Sequence, residues 1–218
     1  MNLVFATQNR SKLMEITHLL QNSYNLGVGL SNASDEAEKN SFSSQDIENQ
    51  KIIGLADISC FEELPETHDT LEENALEKAD YVLRTYKLAC FADDSGLEVE
   101  ALGGRPGVYS ARYAGESKNA DANMDKVLAE LQHISNRNAR FRTVIALVKG
   151  GESFLFEGIV DGTILHEKRG SSGFGYDPIF QPKGYSLSFA EMSMEEKGKI
   201  SHRAIAVQKL IQFLKGVR

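Results

Sequence analysis

Residues 90–102 read CFADDSGLEVEAL, so two adjacent aspartates and a serine follow an apolar run before alternation resumes. Asp, Ser and Gly are turn residues, and a plain hairpin corner is one reading. The other is a metal site. Two neighbouring carboxylates at a buried strand end repel one another unless one is exposed or a cation lies between them. Mg²⁺ takes a few carboxylates together with waters and phosphate oxygens. Successive strand residues point to opposite faces, so only one of Asp93 and Asp94 is expected to face such a site directly. The local sequence leaves both readings open.

Three other polar stretches carry types that could do chemistry. TQNRSK, Thr7 to Lys12, follows a short apolar run and precedes a helical pattern. It is either a capping turn or an anion site in which free backbone N–H groups, Thr7, Asn9 and the Lys12 charge meet one ligand. GFGYDP, 173–178, lacks the third glycine of a dinucleotide fingerprint and is not followed by a helix pattern. It reads as a turn, or as a loop offering the Phe174 ring to a base and Asp177 to a base N–H. EEKGKISHR, 195–203, has the Gly-Lys of a phosphate loop but neither its upstream glycine nor a Ser/Thr directly after Lys199. Ser201 is instead the expected N-cap of the last helix, which puts His202 and Arg203 in its first turn. A cation there opposes the helix dipole, and an anionic or carbonyl-bearing ligand would account for it.

The elements that must position these residues form an α/β pattern. NLVFAT, 2–7, reads as a short buried strand, and Asn9 as the cap of a helix with Leu13, Ile16, Leu19 and Leu20 on one stripe. Residues 23–51 are rich in Ser, Asn and Glu and read as a surface insertion. IIGLADI, 52–58, is a short strand or irregular segment. Thr70 to Glu73 fit a capping box before a helix striped by Leu76, Ala79, Leu83 and Tyr86. LACFA, 88–92, is a strand ending at the aspartates. Gly103, Gly104, Pro106 and Gly107 make a tight loop, and 121–134 form an amphipathic helix. FRTVIALVKGGESFLFEGIV is a hairpin across Gly-Gly, and 201–215 form the last helix. There are no repeats and no Pro/Gly-rich linker, so one domain spanning 1–218 is expected, a mixed central sheet flanked by helices.

Composition narrows the partners. The 218 residues are 41% hydrophobic and 25% charged, as in ordinary globular proteins. A formal net charge of −7 argues against a nucleic-acid polymer, whose binders carry a basic footprint, but not against one nucleotide. Two cysteines without metal spacing make no disulfide framework, no run is long enough for a membrane span, and a cytoplasmic setting is expected. Cys90 reads as a small core residue.

Taken together, ATQNRSK, TLEENALEKA, FADDSGLEVEALGGRPGVYSARYAG, GFGYDPIF and EEKGKISHRAIA resemble the inosine/xanthosine triphosphate pyrophosphatase family. They occur in the family's order over residues 6–206, and the long central match ending in Ser110-Ala111-Arg112-Tyr113 is the specific one. Two departures stand out: the 23–51 insertion lies where a shorter connection is expected, and Pro65-Glu66 stands where many relatives carry two acidic residues. The resemblance implies Mg²⁺-dependent hydrolysis of non-standard purine triphosphates (ITP, dITP, XTP) to monophosphate and pyrophosphate. The fold it implies has two lobes with a substrate groove between them, and the assembly is a homodimer. Carried over by position, Thr7, Gln8, Asn9, Arg10, Ser11 and Lys12 hold the triphosphate, with Ser95 and Lys197 adding contacts. Asp94 becomes the base and a metal ligand, with Glu66 as the second acidic ligand and Glu73 left as the capping partner of Thr70. Phe174, Gly175, Tyr176 and Asp177 read the purine with His202 and Arg203. On this resemblance the aspartate pair belongs to a metal site at a strand end. Two alternatives remain: the septum-associated nucleotide pyrophosphatases, whose N-terminal S-P-R-R-type stretch is missing here, and a nucleotide sensor without turnover.

Overall fold

The computed structural model describes residues 2–23 and 51–216. Six strands, β1 (Asn2–Phe5), β2 (Lys51–Gly54), β3 (Cys90–Val99), β4 (Asn138–Lys149), β5 (Glu152–Ile164) and β6 (Phe180–Pro182), form one sheet in the order β2-β1-β3-β4-β5-β6. β1 runs parallel to β2 and β3, while β6 runs antiparallel to β5, so the sheet is mixed. The helices are α1 (Arg10–Ser23), α2 (Leu71–Tyr86), α3 (Ala120–Glu130), α4 (Met194–Ile200) and α5 (His202–Leu214). No helix among the described residues is long and apolar enough to cross a membrane. The chain divides into two compact units, Met1–Asp94 with Val144–Glu157 and Ala206–Arg218, and Ser95–Thr143 with Gly158–Ile205. β3, β4 and β5 each supply residues to both.

In the first unit the rings of Phe5 and Phe91 stack at 4.7 Å, both fully buried. The expected α1 stripe is seen, with Ile16, Leu19 and Leu20 buried and Leu13 half-buried. The α2 stripe is not the expected one. Leu71, Asn74, Ala75, Lys78, Ala79 and Val82 are buried, while Leu76, Leu83 and Tyr86 are only partly so. Counting apolar residues at helical spacing rotated the face, because Asn74 and Lys78 are buried for polar reasons given below. Thr70 is the N-cap, its hydroxyl accepting the Glu73 N–H at 3.2 Å, but the expected box is not closed, because the Glu73 carboxylate accepts the Thr70 hydroxyl at 2.7 Å and not its main-chain N–H. Cys90 is buried in β3, as its apolar surroundings suggest.

The second unit has a core of Leu97, Val99, Met124, Val127, Leu131, Phe141, Ile164, Ile179, Phe180 and Phe189. α3 stops at Glu130, short of the expected 134, and Leu131 is its C-cap. β4 and β5 are neighbours joined through Gly150 and Gly151, at φ 62° and 85°, the left-handed conformations a two-residue hairpin turn needs. The expected insertion 23–51 has Ser23 as the last residue of α1 and Lys51 as the first of β2, and the rest of it lies outside the described residues.

One expectation is corrected outright. Asp93 and Asp94 do not end a strand or turn a corner, because β3 continues through DDSG to Val99. What lets it continue is Gly96. A Cβ there would lie inside the van der Waals envelope of the Gly107 carbonyl, where the segment after β3 returns and bridges Glu98 to Pro106. The small residue that resembles a turn signal is a close-approach residue inside a strand. Gly96→Ala is therefore expected to cost about 1–3 kcal/mol by overpacking. Urea denaturation of the purified variant checks it.

Candidate active site

In the first unit, β1 delivers the chain to α1 at Thr7. Asn9 caps the helix: its Oδ1 accepts the N–H groups of Ser11 at 3.0 Å and Lys12 at 3.2 Å, and the Thr7 hydroxyl accepts the Asn9 N–H at 3.3 Å. Gln8 Nε2 donates to the main-chain oxygen of Glu62 at 2.7 Å, and Arg10 is exposed. Lys12 Nζ then reaches Asp93 Oδ2 at 3.1 Å. The stretch thus caps the helix through Asn9, and its lysine points into a carboxylate cluster.

The cluster is organised by a residue not singled out from sequence. Lys78, 5% exposed on α2, places Nζ 2.6 Å from Glu66 Oε1, 2.7 Å from the main-chain oxygen of Asp93 and 3.6 Å from Asp94 Oδ1. Asn74, one helical turn earlier, donates to the His68 carbonyl at 3.1 Å and lies 3.4 Å from Asp94 Oδ2, while its own oxygen accepts the His68 N–H at 2.9 Å. These two account for the polar half of the α2 face. Their i, i+4 spacing puts them on the face of Leu71, Ala75 and Ala79, but only their tertiary partners explain why they are buried there. Burial pushes the Asp94 carboxyl up from its ordinary range, opposed by Lys78 and Lys12 and reinforced by Glu66 and Asp93. Burial works against the Lys78 charge too, but Asp94, Glu66 and Asp93 outweigh it and its pKa is raised. The two aspartates take different partners, Lys12 and Lys78, as neighbours on a strand should.

In the second unit, Ser201 Oγ accepts the Ala204 N–H at 3.1 Å, the expected cap, so that His202 and Arg203 open α5. The His202 ring stacks on Phe141 at 4.6 Å, and the Arg203 guanidinium, 1% exposed, lies 5.5 Å from the centre of the Phe174 ring and 3.2 Å from Ser95 Oγ. Lys197 Nζ meets Asp177 Oδ2 at 2.6 Å and lies 5.1 Å from the Phe174 ring. The same Oδ2 accepts the Phe174 N–H at 2.8 Å, so Asp177 folds the loop that carries the ring. Tyr176 is turned into the core and donates to the Ser110 carbonyl at 2.8 Å. Gly175 sits at φ 64°, a left-handed turn position. Phe174, Asp177, Lys197, His202 and Arg203 are thus brought together with Ser95 in one unit, while Thr7 to Lys12, Glu66 and Asp94 belong to the other.

Comparison with known proteins now bears on these clusters. The model of the Ham1 family matches residues 3–213. The chain belongs to the Ham1 family. It is 48% identical over 215 residues to the dITP/XTP pyrophosphatase of Flavobacterium psychrophilum, covering 99% of this chain and 100% of that one. The dITP/XTP pyrophosphatase of Bacillus subtilis is 51% identical over 166 residues, 75% of this chain and 84% of that one. Among solved structures, the Ham1 protein of Staphylococcus aureus matches with a TM-score of 0.80 at 35% identity over the whole of both chains. A nucleoside-triphosphatase / dITP/XTP pyrophosphatase from Mycobacterium abscessus matches with a TM-score of 0.70 at 37% identity, over 96% and 98%. The mixed α/β architecture read from sequence is the Ham1 architecture.

In this Ham1 chain the Lys197–Asp177 pair is almost entirely buried, with 7% and 3% of the side chains exposed. Removing one partner of such a pair leaves a buried charge uncompensated. Lys197→Met is expected to destabilise the fold by about 3–5 kcal/mol. Chemical denaturation measures it, and an unchanged midpoint would mean that Lys197 does not hold the loop.

Proposed function

We propose that this Ham1-family protein hydrolyses non-standard purine nucleoside triphosphates, ITP, dITP and XTP, to the monophosphate and pyrophosphate with Mg²⁺. The observation that carries the reading is the Lys78 ammonium held by Glu66, Asp94 and the Asp93 main chain, beside a capped helix N-terminus whose Lys12 reaches Asp93. Its similarity to the dITP/XTP pyrophosphatases of Flavobacterium psychrophilum and Bacillus subtilis supports it.

The donor set suits Mg²⁺. Glu66 and Asp94 are hard oxygen donors that reach the same ammonium, and Glu66 is 38% exposed, so an ion from solution could reach it. Three carboxylates (Glu66, Asp93, Asp94) against two ammonium groups (Lys12, Lys78) leave a net charge of −1 before a polyanionic substrate adds its own. Among the described residues there is no group of three or more His, Cys, Asp and Glu side chains arranged to cage a metal. Mg²⁺ is the ion that needs no such cage, since it takes one or two carboxylates with waters and substrate phosphates. When bound it supplies charge neutralisation for the phosphates and a lowered pKa for water. Glu66 and Asp94 would hold it.

The chain's own residues then divide the work. The turn from Thr7 to Lys12 that opens α1, with the Lys12 charge, holds phosphate oxygens. Asp94 accepts the proton of the attacking water as its oxygen bonds to the α-phosphorus and the bond to pyrophosphate breaks. Lys78 opposes the rise that burial imposes on the Asp94 carboxyl, and a general base of this kind contributes typically about 10²–10⁴-fold. In the second unit the Phe174 ring stacks on the base. Arg203 and His202 donate to a 6-oxo group, and Asp177 is the acceptor for N1–H. Adenine presents a 6-amino group and leaves those donors unpaired, which costs about 10⁴-fold or more. A homodimeric, cytoplasmic enzyme completes the proposal.

The test is release of pyrophosphate from ITP, dITP, XTP, GTP and ATP, with Mg²⁺ and with EDTA. The first three are expected to exceed ATP by about 10⁴-fold in kcat/KM, and EDTA to abolish turnover. Orthophosphate as product, or ATP cleaved as well as ITP, would contradict the reading.

A further inference from the structure

β4 is fully apolar and buried from Val144 to Val148, yet the residue that begins this stretch, Thr143, is 0% exposed and carries a hydroxyl. Burying a hydroxyl is costly unless it is hydrogen-bonded. Its partner is Ser95 on the neighbouring strand β3, with the two oxygens 2.7 Å apart. Ser95 Oγ is in turn 3.2 Å from an Arg203 nitrogen. Arginine only donates, so Ser95 spends a lone pair on Arg203 and meets Thr143 with what remains. The result is a relay of three side chains, all in the second unit, from a rigid strand to the guanidinium beside Phe174.

We propose that Thr143 is a positioning residue for base recognition. Its hydroxyl holds Ser95 in one rotamer, and Ser95 so held fixes the direction in which Arg203 presents its N–H groups to the purine. The proposal rests on the base-reading role given to Arg203 above. The residue types fit the task. A β-branched threonine in a strand has a stiff χ1 and makes a firm anchor. Serine, with one soft torsion, would otherwise sample its three staggered wells. Thr143 is 0% exposed, and it acts on Arg203 through Ser95.

The experiment compares wild type, Thr143→Val, Thr143→Ser, Ser95→Ala and the Ser95→Ala/Thr143→Val double variant. The readouts are the dissociation constant for inosine monophosphate by calorimetry, steady-state ITP hydrolysis, and the melting temperature. Losing one hydrogen bond to a group that must stay oriented corresponds to roughly tenfold. Thr143→Val is expected to weaken inosine monophosphate about tenfold and raise KM for ITP by a similar factor, with kcat changed by less than about threefold. Thr143→Ser keeps the hydroxyl and is expected to stay within about twofold of wild type. The double variant should bind no more weakly than Ser95→Ala alone, because both changes break one relay. Thr143→Val matching wild type in both constants, Thr143→Ser losing as much as Thr143→Val, or additive losses in the double variant would each overturn the proposal. If wild type bound inosine monophosphate with this pattern of variants but released no pyrophosphate from ITP, the relay would stand and the reading of the reaction would fall.

Discussion

The contact on which the first unit turns is the Lys78 ammonium, sunk to 5% exposure and bound by Glu66, the Asp93 carbonyl and Asp94. A lysine this deep carries a large desolvation cost, and it stays charged because carboxylates lie around it. Asp94 faces the converse problem: burial drives its carboxyl up, and Lys78 and Lys12 draw it back. Neither group is at ease without the other. The pair ties α2 to β3 and to the segment before α2, where the Glu66 side chain is 38% exposed. Buried ion pairs of this type are weak devices for stability, and their persistence here is better understood through what the carboxylates do.

The second unit solves a similar problem with different materials. Arg203 and Lys197 are also buried cations, but aromatic faces do much of the screening: both lie over Phe174, and Lys197 also over Phe189. A guanidinium lying against a ring face gains cation–π attraction while it still donates in its own plane, as Arg203 does to Ser95. Lys197 has its own carboxylate in Asp177, which also fastens the Phe174 N–H. In the first unit the cations are met by carboxylates. In the second the cations lie against aromatic rings.

Much of this was readable in the chain. Asn9, Thr70 and Ser201 cap helices because Asn, Thr and Ser before a helical stripe have few better uses, and each was legible from type and position alone. The hairpin at Gly150-Gly151 followed from two strand patterns around two residues that accept positive φ. What could not be read was long-range. DDSG looks like a turn by composition, and only Gly107 packed against Gly96 explains why the strand runs on. Lys78 and Asn74 look like surface residues of an exposed helix, because no rule of periodicity scores a buried lysine whose partners lie 12 to 16 residues away. Thr143 passes for one β-branched strand residue among several until its neighbour is known. The residues missed are those whose polarity is satisfied by tertiary contacts.

The central claim is that Asp94 is the base and that the cluster around Lys78 exists to keep it so. Its most direct test is Asp94→Asn, which preserves shape and the contact with Asn74 while removing the charge. Pre-steady-state hydrolysis of ITP with Mg²⁺, measured beside the melting temperature, should show a fall in the chemical step of about 10²-fold or more in a protein that remains folded. Turnover within a few-fold of wild type would contradict the account, because the buried carboxylate would then be there for the lysines alone.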